Sequence, residues 1–306
     1  MGKIFTLDGV NQALLLGTEG DDTVQGSSKF APVWNGKRGV IRLLRGDDII
    51  RSRSFVQING VIDLGGGRDV ITGLGENLPP GQSAITLTAV DNFNGNVTMG
   101  RGRDRIVVPS GRLVVGEDSG LDMGEGNDRI EADEMVVYGG SASTGDGNDR
   151  IDVGDGRLSA DLGSVSFGSG DDVLIARGGM RLSEGGGVFM GSGNDLIDAR
   201  NGIENSFYSG NVNLGSGDDR IIGFVVIPDS PEPIEPGRLI GGRGKDTIVL
   251  PTGVYEITAD QISTSEAFLP VAGINYLEGI NGGRFAYAPG ILAVSDQGVA
   301  TFAAAL

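Results

Sequence analysis

Ten aspartates that recur at near-regular spacing are the residues of this chain best suited to chemistry. Each has a Gly two positions before it and an aliphatic residue two positions after it. The steps between successive aspartates are 26, 21, 35, 24, 21, 23, 23, 24 and 27 residues. The chain contains no His and no Cys, so carboxylates and backbone carbonyls supply hard oxygen ligands of the kind that suit Ca²⁺. The ten residues are Asp22, Asp48, Asp69, Asp104, Asp128, Asp149, Asp172, Asp195, Asp219 and Asp246.

The residues around each aspartate indicate the elements that must position it. An apolar residue lies seven positions before every aspartate, and apolar residues at alternate positions mark strands with one buried face. The glycines allow a sharp turn, after which a second strand begins. A coil of about 23 residues leaves room for a third short strand, for example at Met180–Ser183 or at 205–208. The sequence therefore predicts an all-β fold, a parallel β-solenoid (β-helix or β-roll) of about ten coils with three short strands each.

Stacking of such coils brings the aspartates into a column. Equivalent residues in neighbouring coils of a parallel solenoid lie roughly 4.8 Å apart. Two carboxylates at that distance repel each other by about 3 kcal/mol at an effective dielectric constant near 20. The column is therefore unfavourable without cations, and we expect several Ca²⁺ ions along this edge of the solenoid.

The turns resemble those of the RTX (hemolysin-type calcium-binding) proteins, whose nonapeptide is G-G-x-G-x-D-x-U-x. The sequence GGRGKDTI at 241–248 matches it fully, and GEGNDRI, GDGNDRI, GSGDDVL, GSGNDLI and GSGDDRI match from the second Gly onward. The resemblance covers about 17–250. It implies Ca²⁺ bound between coils, and export through an uncleaved C-terminal signal. It also implies backbone carbonyl ligands from Gly124, Gly126, Gly145, Gly147, Gly168, Gly170, Gly191, Gly193, Gly215 and Gly217.

The chain departs from the family pattern in the number of motifs per coil and in the residue at the position of the family's first Gly. It has one motif per coil, so only one edge of the solenoid carries calcium. Basic side chains at Arg68, Arg103 and Lys245 lie beside their aspartates and can replace a cation electrostatically, so calcium is predicted first at Asp128, Asp149, Asp172, Asp195 and Asp219. The preceding residues in these five copies are expected to face solvent or to steady the turn (Asn127, Asn148, Asp171, Asn194 and Asp218). The family's first Gly is mostly replaced by an inward apolar residue (Met99, Met123, Phe167, Met190 and Leu214).

The repeat also predicts how the chain is divided. Residues 1–16 are expected to form an N-terminal cap strand, 17–250 the solenoid, and 251–306 a non-repeat C-terminal cap that includes a possible secretion signal. Three segments interrupt the repeat: 27–38 with the only tryptophan, Trp34, the loop NLPPGQS at 77–83, and the Pro-rich acidic PDSPEPIEPG at 228–237. Terminal segments that differ from the repeat are typical of solenoids.

Composition excludes several classes of function. The net charge of −17 argues against nucleic acid and against an anionic membrane surface. No N-terminal apolar run is long enough for a signal-peptide core or a membrane span, so no membrane insertion is expected. The absence of cysteine excludes disulfides and thiol catalysis.

These observations favour a secreted or cell-surface calcium-binding structural protein that self-assembles into a filament or a surface layer. One alternative is a polysaccharide-active β-helix enzyme, which is disfavoured because the chain has no His for acid–base work, so we expect no catalytic activity. Another is an adhesin that binds a carbohydrate or surface ligand through the loops at 27–38, 76–83 and 228–237. An ice-binding face is disfavoured because no Thr-x-Thr ladder repeats with the coil.

Overall fold

The computed structural model describes residues 1–11, 13–28, 31–36, 38–75, 83–87, 95–205, 210–226 and 237–305. These residues form a parallel β-solenoid with three rows of strands, which confirms the predicted fold. The chain makes nine turns between Asp22 and Asp246, in agreement with about ten coils. Across the described residues there is no helix of the length and apolarity needed to cross a membrane.

We name the three rows of strands by their position relative to the aspartate. Face A follows it, face B comes next, and face C leads into the next aspartate. Arg105–Val115 and Arg129–Tyr138 each run through both face A and face B. The other strands of face A are Ile4–Leu7, Thr23–Gly26, Ile49–Ser52, Val70–Gly73, Arg150–Asp152, Val173–Ile175, Leu196–Asp198, Arg220–Ile222, Asp246–Leu250 and Ile274–Gly279.

The strands of face B are short, and those of face C are longer from Ser141 onward than before it. Face B contains Val10–Asn11, Val33–Asn35, Val56–Ile58, Ile85–Leu87, Leu158–Asp161, Met180–Ser183, Ile203–Asn205 and Val225–Val226. Face C contains Leu14–Leu16, Val40–Arg42, Val61–Asp63, Asn96–Thr98, Gly120–Asp122, Ser141–Asp146, Ser164–Ser169, Gly187–Ser192, Asn211–Ser216, Leu239–Arg243 and Phe268–Ala272.

The predicted third strand at Met180–Ser183 is confirmed with the same bounds. The one predicted at 205–208 begins earlier and is observed as Ile203–Asn205, while 206–209 lie outside the described residues. Two further short strands, Gly66–Gly67 and Arg101–Gly102, pair at the corner between faces C and A.

The core is a stack of identical apolar rows inside the coils. The aliphatic residue two positions after each motif aspartate is at most 1% exposed in all ten copies. The residues that replace the family's first Gly also point inward, and Met99, Met123 and Phe167 are fully buried. Full burial of one such side chain contributes about 1.5–3 kcal/mol. Because the rows are in register, the apolar residues of each coil stack directly on those of the coils above and below it, and this stacking completes their burial.

Beyond Leu250 antiparallel pairing is added to the parallel stack, in which Phe268–Ala272 and Ile274–Gly279 still pair with the preceding coil. Tyr255 packs edge-on against Phe224, with ring centroids 5.1 Å apart, so this region is continuous with the solenoid core. Its strands are Gly253–Ile257, Gln261–Ser263, Phe268–Ala272, Ile274–Gly279, Gly282–Ala286, Gly290–Val294 and Ala300–Ala304. A secretion signal in 251–306 stays a prediction.

The three interrupting segments are only partly described. In the first, Val33–Asn35 is a face B strand, and Trp34 is 39% exposed while its indole N–H donates to Asn59 Oδ1 at 3.1 Å. The predicted loops at 77–83 and 228–237 lie outside the described residues except for their last residues, Ser83 and Gly237.

Candidate metal centre

The structure brings all ten motif aspartates together in one column at the corner between faces C and A. Each is at most 2% exposed. The backbone N–H of each aspartate from Asp22 to Asp219 donates to Oδ1 of the aspartate in the following coil, at 2.6 to 3.1 Å. One oxygen of each carboxylate from Asp48 onward is therefore fixed as a rung between coils.

Glycine is required at this corner for two reasons. The glycine two positions before each aspartate from Asp48 onward has φ between 129° and 156°, which side chains rarely adopt. The coils are also in very close contact, because a methyl group on Gly126 would lie 1.3 Å from the carbonyl oxygen of Gly102. The glycine four positions before the aspartate also leaves no room for a side chain, because a methyl group on Gly124 would lie 1.9 Å from the carbonyl oxygen of Gly100.

The glycines predicted to offer carbonyl ligands therefore flank the column. Gly124, Gly145, Gly168, Gly191 and Gly215 stack in one row, and Gly126, Gly147, Gly170, Gly193 and Gly217 stack in another. The carbonyl oxygen of Gly124 already accepts the N–H of Asp146 at 2.9 Å. A carbonyl oxygen has a second lone pair that remains available. Their role as ligands stays a prediction.

The second carboxylate oxygen has no partner in most of the column. Oδ2 is buried and makes no hydrogen bond within the described residues in Asp48, Asp69, Asp104, Asp128, Asp149, Asp172, Asp195, Asp219 and Asp246. Asp22 differs because the Thr18 N–H donates to its Oδ2 at 2.6 Å. A buried charged oxygen without a partner is strongly destabilising, so a cation or a proton must compensate these nine atoms.

The residue that faces Oδ2 can be identified at the last aspartate of the column. A methyl group on Gly241 would lie 2.6 Å from Asp246 Oδ2, so this oxygen faces the residue five positions earlier. Within the described residues, no three acidic side chains converge to hold a metal ion. A cation held here would need backbone oxygens besides the carboxylates of neighbouring coils, and such an all-oxygen set would fit Ca²⁺.

Burial raises the pKa of these carboxyl groups from the ordinary value of 3.8. Desolvation is the largest cause, and the hydrogen bond from the preceding coil's N–H opposes it only in part. The pKa reaches about 8 in Asp69, about 7 in Asp128, Asp172 and Asp219, and about 6 in Asp48, Asp104 and Asp195. The pKa values of Asp149 and Asp246 are also raised. Near neutral pH the column is thus divided between protonated and ionised groups.

A second, exposed ladder runs beside the buried one. Asn148 N–H donates to Asn127 Oδ1 at 3.0 Å, Asp171 N–H to Asn148 Oδ1 at 3.0 Å, and Asn194 N–H to Asp171 Oδ1 at 2.7 Å. Asp218 and Lys245 continue it. The outer ladder donates towards the preceding coil, whereas the buried column donates towards the following one. The residues beside the aspartates therefore face solvent and also fix the turn. Both of the roles expected for them are observed together.

The column has one further member, which the aspartate pattern in the sequence does not reveal. Asp246 N–H donates to Asn275 Oδ1 at 2.8 Å, so Asn275 occupies the position of an eleventh aspartate. Gly273 lies two residues before it and Leu277 two residues after it, and Leu277 pairs with Ile248 of the last motif. A search for G-x-N-x-aliphatic would have found it, and the repeat does not end at Leu250. The column thus ends on a neutral side chain that keeps the hydrogen bond.

The expectation that basic neighbours replace the cation is wrong for Arg68. Its guanidinium is exposed and pairs with Asp47 of the outer ladder, with Nε 3.0 Å from Oδ2. Asp69 Oδ2 remains without a partner, as do the same atoms of Asp104 and Asp246. The reason is geometric, because alternate residues at the corner point to opposite sides of the chain.

A shallow groove of about 490 Å³ on face A is lined by Arg129, Glu131, Asp133, Asp152 and Asp155, among others. Glu131 is paired with Arg105 at 3.1 Å. Burial alone would raise the pKa of Asp152, but hydrogen bonds from Arg150 and from the Gly154 N–H outweigh burial and lower it. Glu131 and Asp152 are therefore both held in ion pairs, and its lowered pKa makes Asp152 a poor proton donor.

Comparison with known proteins identifies no family for this chain. No family model matches it, and no curated protein matches it. Among solved structures it is similar to "a hyperactive, Ca2+-dependent, beta-helical antifreeze protein from an Antarctic bacterium", with 19% identity and a TM-score of 0.46 over 82% of this chain and 71% of that chain. At this level of similarity, the properties of that protein are not transferred to this one.

Proposed function

We propose that this protein is a calcium-binding structural β-solenoid of the cell exterior, in which Ca²⁺ ions join neighbouring coils at the aspartate corner. The observation that supports the proposal is the row of nine buried Oδ2 atoms without a partner. A divalent ion between two coils neutralises two carboxylates at once. It also replaces the repulsion along the column by attraction, which couples ion binding to folding.

The donor set favours Ca²⁺ over other ions. Zinc and copper prefer His or Cys, and the chain has neither. Mg²⁺ requires near-octahedral geometry and retains several waters, which suits a closely packed corner poorly. Calcium tolerates irregular sets of carboxylate and carbonyl oxygens. A series of moderate sites matches the millimolar calcium found outside cells.

The test compares two neighbouring aspartates. Asp172→Asn removes one buried Oδ2 but keeps the Oδ1 that accepts the Asp149 N–H, as Asn275 does naturally for Asp246. Asp171→Asn makes the same charge change in the outer ladder, where Asn127, Asn148 and Asn194 already occur. Calcium per chain is measured by equilibrium dialysis and elemental analysis, and folding by circular dichroism with calcium or EGTA.

We expect the wild type to bind several Ca²⁺ ions, Asp172→Asn to bind fewer, and Asp171→Asn to match the wild type. EGTA should lower the melting temperature of the wild type markedly. A wild type that binds no calcium and melts identically in EGTA would refute the proposal. Equal losses in the two variants would indicate an effect of net charge instead of a site.

Secretion and self-assembly are part of the proposal. In the described chain, the first-coil strands Ile4–Leu7 and Leu14–Leu16 pair on one side only. Ile4 is 71% exposed and Leu14 63% exposed. Unpaired edges with exposed apolar residues favour association with other strands. Negative-stain electron microscopy in calcium is expected to show filaments or sheets, and uniformly single particles at high concentration would contradict assembly.

A further inference from the structure

A pocket of about 450 Å³ lies where face A turns into face B in the second to fourth coils, away from the aspartate corner. Gln25, Arg51 and Thr72 are paired across three consecutive coils and form its floor. Ser28 and Arg53 also line it, and Ala31 and Leu74 give it apolar walls. This volume is within the range of small-molecule sites.

The described residues that line the pocket carry a charge opposite to that of the whole chain. None of the described residues that line it is acidic, although the chain has a net charge of −17. Elsewhere on face A, arginines pair with carboxylates, as in Arg105 with Glu131 and Arg150 with Asp152. Arg51 instead donates from Nε and Nη2 to the neutral Gln25 Oε1, at 3.1 and 2.8 Å.

The sequence around Arg51 and Arg53 is also rich in basic residues. Residues 29–53 contain seven Lys and Arg and two Asp, a formal charge of +5, so the rest of the chain carries −22. Gln25 holds the guanidinium of Arg51 in a fixed position without neutralising it. A positively charged concavity on an acidic molecule concentrates anions locally.

We propose that this pocket binds an acidic saccharide through its oxyanion, which is a carboxylate or a sulfate ester. The guanidinium groups of Arg51 and Arg53 match the paired oxygens of either group. The hydroxyl of Thr72 suits a sugar hydroxyl, and Ala31 and Leu74 suit the apolar face of a sugar ring. The site is independent of the aspartate column and adds ligand binding to a structural protein.

The experiment is calorimetric titration of the calcium-loaded protein with four probes: a galacturonate trimer, a sulfated dextran oligosaccharide, a neutral dextran oligosaccharide and sodium sulfate. The double variant R51Q/R53Q is compared with R101Q/R105Q, which removes the same charge outside the pocket. Free calcium is equal in every arm, because a saccharide bridged through calcium would not depend on Arg51 and Arg53.

We expect at least one acidic saccharide to bind, R51Q/R53Q to weaken its binding tenfold or more, and R101Q/R105Q to change it less than twofold. The stronger of the two acidic probes identifies the oxyanion. Equal weakening in both variants, equal binding of the neutral dextran, binding of sodium sulfate as tight as that of the saccharides, or no binding by any probe would overturn the proposal. Unchanged melting curves verify that both variants are folded.

Discussion

Without calcium, the stability of the solenoid should fall as the pH rises from 4 to 8. The folded pKa of Asp172 is about 7, against an ordinary value of 3.8. Below pH 4 this carboxyl is protonated in both the folded and the unfolded chain, so its raised pKa has no destabilising effect there. As the pH rises, the unfolded chain ionises freely while the folded chain must keep the proton or bury a charge. Stability is therefore lost between pH 4 and about 7.

The size of the effect follows from the shift in pKa. One pKa unit corresponds to 1.36 kcal/mol, so Asp172 alone destabilises the calcium-free fold by about 4 kcal/mol at alkaline pH. Asp69, with a pKa of about 8, loses its proton later and contributes more. A few such groups equal the whole stability of an ordinary domain, about 5–15 kcal/mol. The calcium-free protein is expected to be folded near pH 5 and largely unfolded near pH 8.5.

The assay is urea unfolding followed by circular dichroism across this pH range, in EGTA and in calcium. Calcium should reverse the trend, because its ligands must be deprotonated and its stabilising effect rises with pH. At the acid end, Asp47 and Asp198 have lowered pKa values, so their contribution to stability is lost as the pH falls below about 4. If the EGTA-treated protein were as stable at pH 8.5 as at pH 5, the reasoning about buried carboxylates would be wrong.

Three further predictions concern single residues. Gly126→Ala should destabilise the fold by about 3 kcal/mol or more, because the methyl group meets the Gly102 carbonyl oxygen at 1.3 Å; chemical denaturation checks this, and a loss below about 1 kcal/mol would contradict the stacking. Asn275→Asp should add one carboxylate to the column, so melting in EGTA at pH 8 should fall while calcium raises it again; an unchanged melting point in EGTA would count against this assignment. Arg68→Gln should leave the melting temperature nearly unchanged, since its ion pair with Asp47 is exposed; a clear fall in the melting temperature would show that Arg68 compensates the buried column after all.

The sequence predicts the solenoid well because the constraint is local and repeated. Each aspartate has its glycine and its aliphatic residue at fixed offsets, and stacking follows from the period alone. The sequence does not predict that the second carboxylate oxygen lacks a hydrogen-bond partner, because this depends on how neighbouring coils stack. Arg68 shows the limit clearly: adjacency in sequence suggested an ion pair with Asp69, but the pleat directs its side chain to Asp47.

Asn275 was missed for a different reason. A search restricted to acidic residues cannot find a neutral residue that makes the same hydrogen bond. The pocket around Arg51 could not be predicted from the sequence either, because Gln25 and Thr72 become neighbours of Arg51 only through strand pairing. The register that brings them together depends on coil lengths, and these vary from 21 to 35 residues.

The buried column and the outer ladder, whose hydrogen bonds run in opposite directions, give most junctions between coils the same set of bonds. At a junction such as that between the coils of Asp172 and Asp195, one hydrogen bond runs forward through the buried carboxylate and another runs backward through Asp171 and Asn194. A coil duplicated or deleted among those of Asn127 to Asp218 would therefore still give junctions with both kinds of hydrogen bond. The length of this molecule can change in whole coils without redesign of its interior, so variants of different reach are accessible from one repeating unit.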